Sequence, residues 1–194
     1  MRTPATGTRQ RIIDEGTRLF AEQGYAGTSV RQIVEAAGVT KPTLYYWFGN
    51  KEGLFGALVD VHMGHWFEVL EAIVNGEGSA LERLDAYLRA SLREARDKPE
   101  VLSFLAQAFH QAGQGATGVD CTRFVATEAR LLTQLAADGI EAGELRAGLR
   151  PDDVALAAIG LVHIRIGACL HGGVPLSEEA AAAAADILLN GVSP

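Results

Sequence analysis

Cysteine is scarce in this 194-residue chain: there are two, Cys121 and Cys169, each in an apolar helical context and neither with a close-spaced partner. That argues against a disulfide framework or a cysteine-based zinc site. Aromatic residues make up only 7% of the chain, whereas alanine is abundant and hydrophobic residues reach 48%. Such a composition leans helical and supplies enough apolar surface for a real core. No charged-then-apolar leader opens the sequence, and the longest apolar run, Val154 to Leu170, is broken by His163 and Arg165. The expectation is a cytoplasmic protein that is neither secreted nor membrane-spanning.

Catalytic groupings are also missing. No nucleophile, base and orienting group can be assembled, and Ser103 near His110 on one helix is too ordinary a pair to count. An all-helical enzyme using its histidines therefore stands only as a rival reading. His62 and His65, with Glu68 on the same face, have the spacing to present two imidazoles and a carboxylate to one ion. No second ligand motif accompanies them, so neither a metal nor a cofactor is expected.

A large basic excess is absent too, since the formal charge is -7. The charge is unevenly spread, however. Residues 1–55 hold seven cations (Arg2, Arg9, Arg11, Arg18, Arg31, Lys41, Lys51) against five acids, and the remainder holds ten against nineteen. A mildly basic head on an acidic body fits a protein that docks one end on nucleic acid and repels it with the other.

What the sequence does contain is concentrated in Thr28 to Leu54, TSVRQIVEAAGVTKPTLYYWFGNKEGL. Ser29 with Gln32 three residues on is a capping-box pattern, which predicts a helix over Val30–Ala37. Gly38 stops it. Thr40 is an N-cap candidate and Pro42 falls in a first turn, so a second helix is predicted from about Lys41 to Trp47. Asn50 can cap a third helix beginning at Lys51. Ile33, Ala37, Val39, Leu44 and Trp47 can close the two short helices around Gly38, as in a helix-turn-helix. Lys41, Thr43, Tyr45 and Tyr46 then face outward: one cation, one hydroxyl and two phenols, a set suited to the DNA major groove. A helical hairpin with Tyr45, Tyr46, Trp47 and Phe48 all in a core is the competing reading.

The runs Thr28-Ser29-Val30-Arg31-Gln32-Ile33, Ala36 to Lys41 and Thr43 to Glu52 resemble the DNA-binding signature of the TetR family of transcriptional regulators, over about fifty residues from Arg9 to Leu58. Trp47 replaces the family's usual His and Val34 its usual Ala, which bears on one polar backbone contact and on helix packing. The resemblance implies an all-α protein of about nine helices. A three-helix DNA-binding head (1–50) would precede a helical effector-binding and dimerisation domain (51–194), with the last two helices forming the dimer interface. The DNA-binding residues would be Thr28, Ser29, Arg31, Thr40, Lys41, Thr43, Tyr45, Tyr46 and Lys51. Of these, Lys41, Thr43 and Tyr45 would meet base edges or adjacent phosphates, and Thr28, Ser29, Tyr46 and Lys51 would hold phosphates. Arg9 and Arg11 are either phosphate contacts or solvated charges.

Along the rest of the chain, Met1–Gly7 reads as a polar arm and Thr8–Gly24 as the first helix. Helices are predicted from Lys51 to about Val74, Ala80–Asp97, Glu100–Gln111 and Val119–Ala137, then from Pro151 to Leu170 and from Ser177 to about Asn190. The glycine-rich tract Ala112–Gly118 and a turn at Asp138-Gly139 separate some of them. The Pro151–Leu170 helix is apolar nearly all round and must be buried against something. With the nearly bulk-free Ala180–Ala185 surface it suits a four-helix dimer seam, unless both are core helices of a monomer.

Trp66, Phe67, Tyr87, Phe104, Phe109, His110, Arg123, Phe124 and His163 form a mainly aromatic set with a few polar groups, as small-molecule pockets do. Plain core packing competes for each aromatic residue. The sequence thus reads as a ligand-responsive repressor: a homodimer on a palindromic double-stranded operator, released by a small-molecule effector that tilts the Lys51–Val74 helix. A ligand-independent architectural DNA-binding protein is the alternative.

Overall fold

The computed structural model describes residues 4–113 and 119–192. Among them are nine helices and no strand: α1 (Pro4–Gly27), α2 (Val30–Ala37), α3 (Lys41–Phe48), α4 (Lys51–Val74), α5 (Ala80–Asp97), α6 (Pro99–Gly113), α7 (Thr122–Glu141), α8 (Pro151–Gly172) and α9 (Glu178–Val192). The all-α expectation holds. Residues 114–118 of the glycine-rich tract and 1–3 of the polar arm lie outside the described residues.

The chain forms two compact units, one of residues 1–65 and 99–121, the other of residues 66–98 and 122–194. In the first, α1 packs on α2 and α6. The helix starts earlier than the polar arm suggests, because Pro4 has the fixed φ that a first turn needs. It bends at Gly24, which adopts φ 71°. Gln107 of α6 donates its side-chain amide to the Ala21 carbonyl at 2.7 Å beside that bend. Gly16 lets α1 approach α4 closely, since a Cβ there would lie 3.2 Å from Leu58 Cδ1.

In the second unit α7 packs on α8, and α5 on α7, α8 and α9, around Leu84, Leu88, Leu132, Leu135, Ala158 and Leu188. The predicted turn at Asp138-Gly139 is instead helical, and α7 runs on to Glu141. The reason is packing: Gly139 is buried against Ala80 and Leu145, and a Cβ there would come within 3.0 Å of Leu145 Cγ.

Within the chain, α8 buries only one face of its nearly all-round apolar surface. Val154, Ala155, Ala158, Ile159 and Val162 face the core, whereas Leu156 and Ile164 are 62% and 68% exposed. Of the Ala180–Ala185 surface of α9, Ala181, Ala184 and Ala185 point inward, whereas Ala183 is exposed, as is Ile187 further along. By length and composition α8 is apolar enough to cross a membrane. It nevertheless buries one face in the core and carries His163 and Arg165.

Candidate functional site

The α2–α3 hairpin is built as the capping pattern predicts. The Ser29 hydroxyl accepts from the Gln32 N–H at 3.3 Å, the Gln32 side chain accepts from the Ser29 N–H at 2.8 Å, and Gly38 closes α2 with φ 62°. Ile33, Val34, Ala37, Leu44 and Phe48 are buried, so Phe48 rather than Trp47 plugs the hairpin. Trp47 is half-buried and meets Tyr46 edge to face at 5.3 Å. Val34, where the family's usual residue is Ala, is accommodated in the core.

Anchored by Leu44 and Phe48, α3 turns its other face to solvent. Tyr45 is 46% and Tyr46 79% exposed, and Lys41 and Thr40 are exposed as well. Thr40 occupies the N-cap position, but its hydroxyl pairs with that of Thr43 at 2.9 Å instead of capping the helix. Arg31 is exposed on α2 and ion-paired with Glu35 at 2.7 Å. Asn50 caps α4 by accepting from the Gly53 N–H at 2.7 Å. Arg11 donates to the Ala37 carbonyl at 3.1 Å, and Arg9 lies over the Phe48 ring at 5.6 Å. Both arginines therefore hold the hairpin.

Two expected phosphate contacts are corrected. Thr28 is buried, and its hydroxyl donates to the Gly24 carbonyl at 2.8 Å, with the Leu19 carbonyl at 3.1 Å. Lys51 Nζ donates to the Tyr25 and Thr28 carbonyls at 2.8 and 3.0 Å and sits 4.1 Å from the centroid of the Tyr25 ring. Its ammonium ties the start of α4 to the α1–α2 turn. Lys51→Met keeps the stem and removes those bonds, so it is expected to lower the thermal midpoint. The salt slope of DNA binding should stay unchanged, whereas a lost phosphate contact would reduce that slope by about one.

The expected effector residues divide between two clusters. Phe104 is fully enclosed in the first unit, with its ring centroid 5.1 Å from Phe55, 6.3 Å from Phe20 and 5.9 Å from the His62 ring. That is core packing, which corrects its assignment to an effector site. The His62 ring nitrogen Nε2 pairs with the Thr17 hydroxyl at 2.9 Å. Phe109 and His110, in the same unit, are half-buried and exposed.

In the second unit, Trp66, Tyr87 and His163 converge on Glu128, a residue absent from the sequence-based set. Its Oε1 accepts from Trp66 Nε1 at 3.3 Å and from the Tyr87 hydroxyl at 3.1 Å, and its Oε2 lies 3.9 Å from His163 Nε2. Phe67 stacks on Phe124 at 6.0 Å, and the exposed Arg123 guanidinium lies 4.4 Å from the Phe124 centroid. The signal for Glu128 was an acid on the apolar stripe Phe124, Leu131 and Leu135 of α7.

Burial first, then the charge of Glu128 and the hydrogen bond to it, holds the Tyr87 phenol well above its usual range. A phenol raised by folding stabilises the fold below its unfolded pKa, about 10, and that contribution is lost as pH climbs beyond it. The thermal midpoint should therefore fall more steeply above about pH 10 in the wild type than in Tyr87→Phe. Comparing the two melts separates Tyr87 from Tyr25, which burial and Glu52 also raise.

This geometry can be set beside known proteins. The family model "Bacterial regulatory proteins, tetR family" matches residues 12–58. The HTH-type transcriptional repressor ComR of Escherichia coli K12 is 38% identical over 79 residues, 41% of this chain and 38% of that protein. The chain spans about two fifths of the length of the curated relatives it matches. A TetR-family transcriptional regulator from Cytophaga hutchinsonii aligns over 100% of this chain and 98% of its own, at 27% identity and a TM-score of 0.73. FadR from Bacillus subtilis, solved in complex with stearoyl-CoA, shares the fold with a TM-score of 0.81 at 20% identity, over 94% of this chain and 98% of its own. The α2–α3 hairpin thus lies within a segment that matches the TetR family of bacterial regulatory proteins, and the nine helices among the described residues follow a fold shared with a solved TetR-family regulator.

Proposed function

We propose that this protein is a DNA-binding transcriptional regulator, a repressor that binds a palindromic operator as a homodimer and leaves it when a small-molecule effector binds. The observation that carries the reading is the outward face of α3, where Lys41, Tyr45 and Tyr46 are exposed although Leu44 and Phe48 bury the opposite face. Apolar-bodied phenols and an ammonium on a rigid helix suit base edges and phosphates in a major groove. Thr40, Thr43 and Tyr45 read bases, and Lys41 and Tyr46 meet bases or phosphates. Ser29 contributes the N-terminus of α2, and Arg31 enters the groove by exchanging Glu35 for phosphate. Thr28 and Lys51 act as positioning residues.

Dimerisation is assigned to the exposed stripe Leu156, Gly160 and Ile164 of α8, with the exposed Ile187 of α9 in the same role. A second copy would cover these side chains and set two recognition helices about 34–36 Å apart. Ile164→Glu should convert the dimer to monomer in light scattering and weaken operator binding at least about a hundredfold, because one half-site alone supplies too little contact. An effector held by the second unit acts through α4, which contributes residues to both units. It can shift DNA binding only by its preference for the DNA-incompetent state. The protein works in the cytoplasm and is not an enzyme.

The deciding experiment is a fluorescence-anisotropy titration against DNA from immediately upstream of the protein's own gene, with a scrambled duplex as control, over a salt series. Tight, selective, salt-sensitive binding supports the regulator. Equal, weak binding to both duplexes points to the ligand-independent architectural reading.

A further inference from the structure

Glu128 is a carboxylate largely withdrawn from water, with no lysine or arginine within ion-pairing distance among the described residues. Its side chain is 10% exposed, and both hydrogen bonds it accepts, from Trp66 and Tyr87, come from neutral donors and fall on the same oxygen, Oε1. Among the described residues no donor lies within hydrogen-bonding distance of Oε2. The nearest basic nitrogen is His163 Nε2 at 3.9 Å, on a ring 57% exposed. Burying a carboxylate is costly unless a charge and hydrogen bonds compensate it. Four helices, α4, α5, α7 and α8, nevertheless bring side chains to this point. The indole and phenol fix the orientation of the carboxylate through Oε1 and leave Oε2 with His163, 3.9 Å away, as its one charge-capable neighbour among the described residues. The indole of Trp66 is only partly buried, its ring centroid lies 6.1 Å from that of Tyr87, and both rings meet the acid with their polar edges.

We infer that Glu128 Oε2 anchors the positively charged, N–H-bearing head of an effector, an aromatic or apolar ammonium or amidinium compound whose body lies against Trp66. Such a head supplies a full positive charge and a hydrogen-bond donor to Oε2 together, and a charge-assisted bond to a largely buried carboxylate is a strong one. An anionic effector would meet like charge at the same point. This inference rests on the regulator reading and names the effector class for it.

The test uses full-length protein without DNA and three probes of one size: 9-aminoacridine, a cation at neutral pH with N–H donors; acridine, neutral at about pH 8; and acridine-9-carboxylate, an anion. Probe anisotropy and tryptophan quenching report binding. The cation is expected to bind at least about tenfold more tightly than either of the others, and Glu128→Gln, which keeps the shape and the acceptor, is expected to erase that preference. Equal binding of the three probes, tightest binding of the anion, no binding of any up to about 1 mM, or an unchanged preference in Glu128→Gln would each overturn the inference. The wild-type comparison alone decides the matter if the variant fails to fold. Because no DNA is present, failure here leaves the operator titration standing, and failure of that titration leaves this result readable.

Discussion

Tyr45→Ala is expected to abolish sequence-selective operator binding while leaving the protein folded. The Tyr45 ring is almost half exposed on α3, whereas its neighbour Leu44 is completely buried. Truncating it removes contact area from the face that points outward and leaves the plug of the hairpin intact. A surface truncation of this kind shifts folding stability by about 0.5 kcal/mol or less. Loss of a base-reading contact costs about 1–3 kcal/mol per half-site, so a dimer on two half-sites loses about 2–6 kcal/mol, roughly thirtyfold to ten-thousandfold in affinity. Binding to the scrambled duplex should change little, since phosphate contacts dominate it. Lys41→Ala should behave differently, weakening both duplexes and reducing the salt slope by about one. Anisotropy titrations with a circular-dichroism melt of each variant check these outcomes. Retained selective binding by Tyr45→Ala would remove α3 as the reading helix, and an unfolded Tyr45→Ala would mean that the aromatic run is core.

The aromatic run Tyr45-Tyr46-Trp47-Phe48 shows how far the sequence could be read. Helical period separates Leu44 and Phe48, four apart, from Tyr45 and Tyr46, and burial follows that division. The two caps, Ser29 and Asn50, were legible because their chemistry is local: a side-chain oxygen meets an N–H three residues away. Thr28 and Lys51 were not. Their side chains answer carbonyls on a turn whose shape depends on the bend at Gly24, and no local pattern says whether a hydroxyl or ammonium faces inward.

The same limit applied in the second unit. Gly139 reads as a turn residue until Ala80, distant in sequence, is found packed against it. Glu128 stood on an apolar stripe, which is a readable anomaly. What it meets, an indole from α4 and a phenol from α5, is set by tertiary packing. For the exposed stripe of α8, composition alone could not tell a face left open by the chain's own core from one buried within it.

Phe104 carries the largest expected effect on stability, and it separates an effector-site role from a packing role. Its ring has no solvent exposure and stands in a cluster with Phe20 and Phe55, whose own rings meet edge to face at 5.0 Å. Truncating so enclosed a ring removes its transfer free energy and leaves a cavity, so Phe104→Ala should cost about 3–5 kcal/mol. For a chain of this length that corresponds to a fall of roughly 6–20 °C in the thermal midpoint. Phe104→Leu, which refills most of the space, should lose much less. If the ring is core, operator affinity at low temperature should be nearly unchanged in Phe104→Leu, and in Phe104→Ala should fall only as the folded fraction falls. If the ring touched an effector, Phe104→Leu would change the effector's affinity at a nearly unchanged melting temperature. The α6 helix brings this ring into the unit that carries the α2–α3 hairpin from some fifty residues further along the chain. The stability of that unit therefore depends on a side chain well beyond the fifty-residue signature, and Phe104→Ala is the substitution that exposes this dependence.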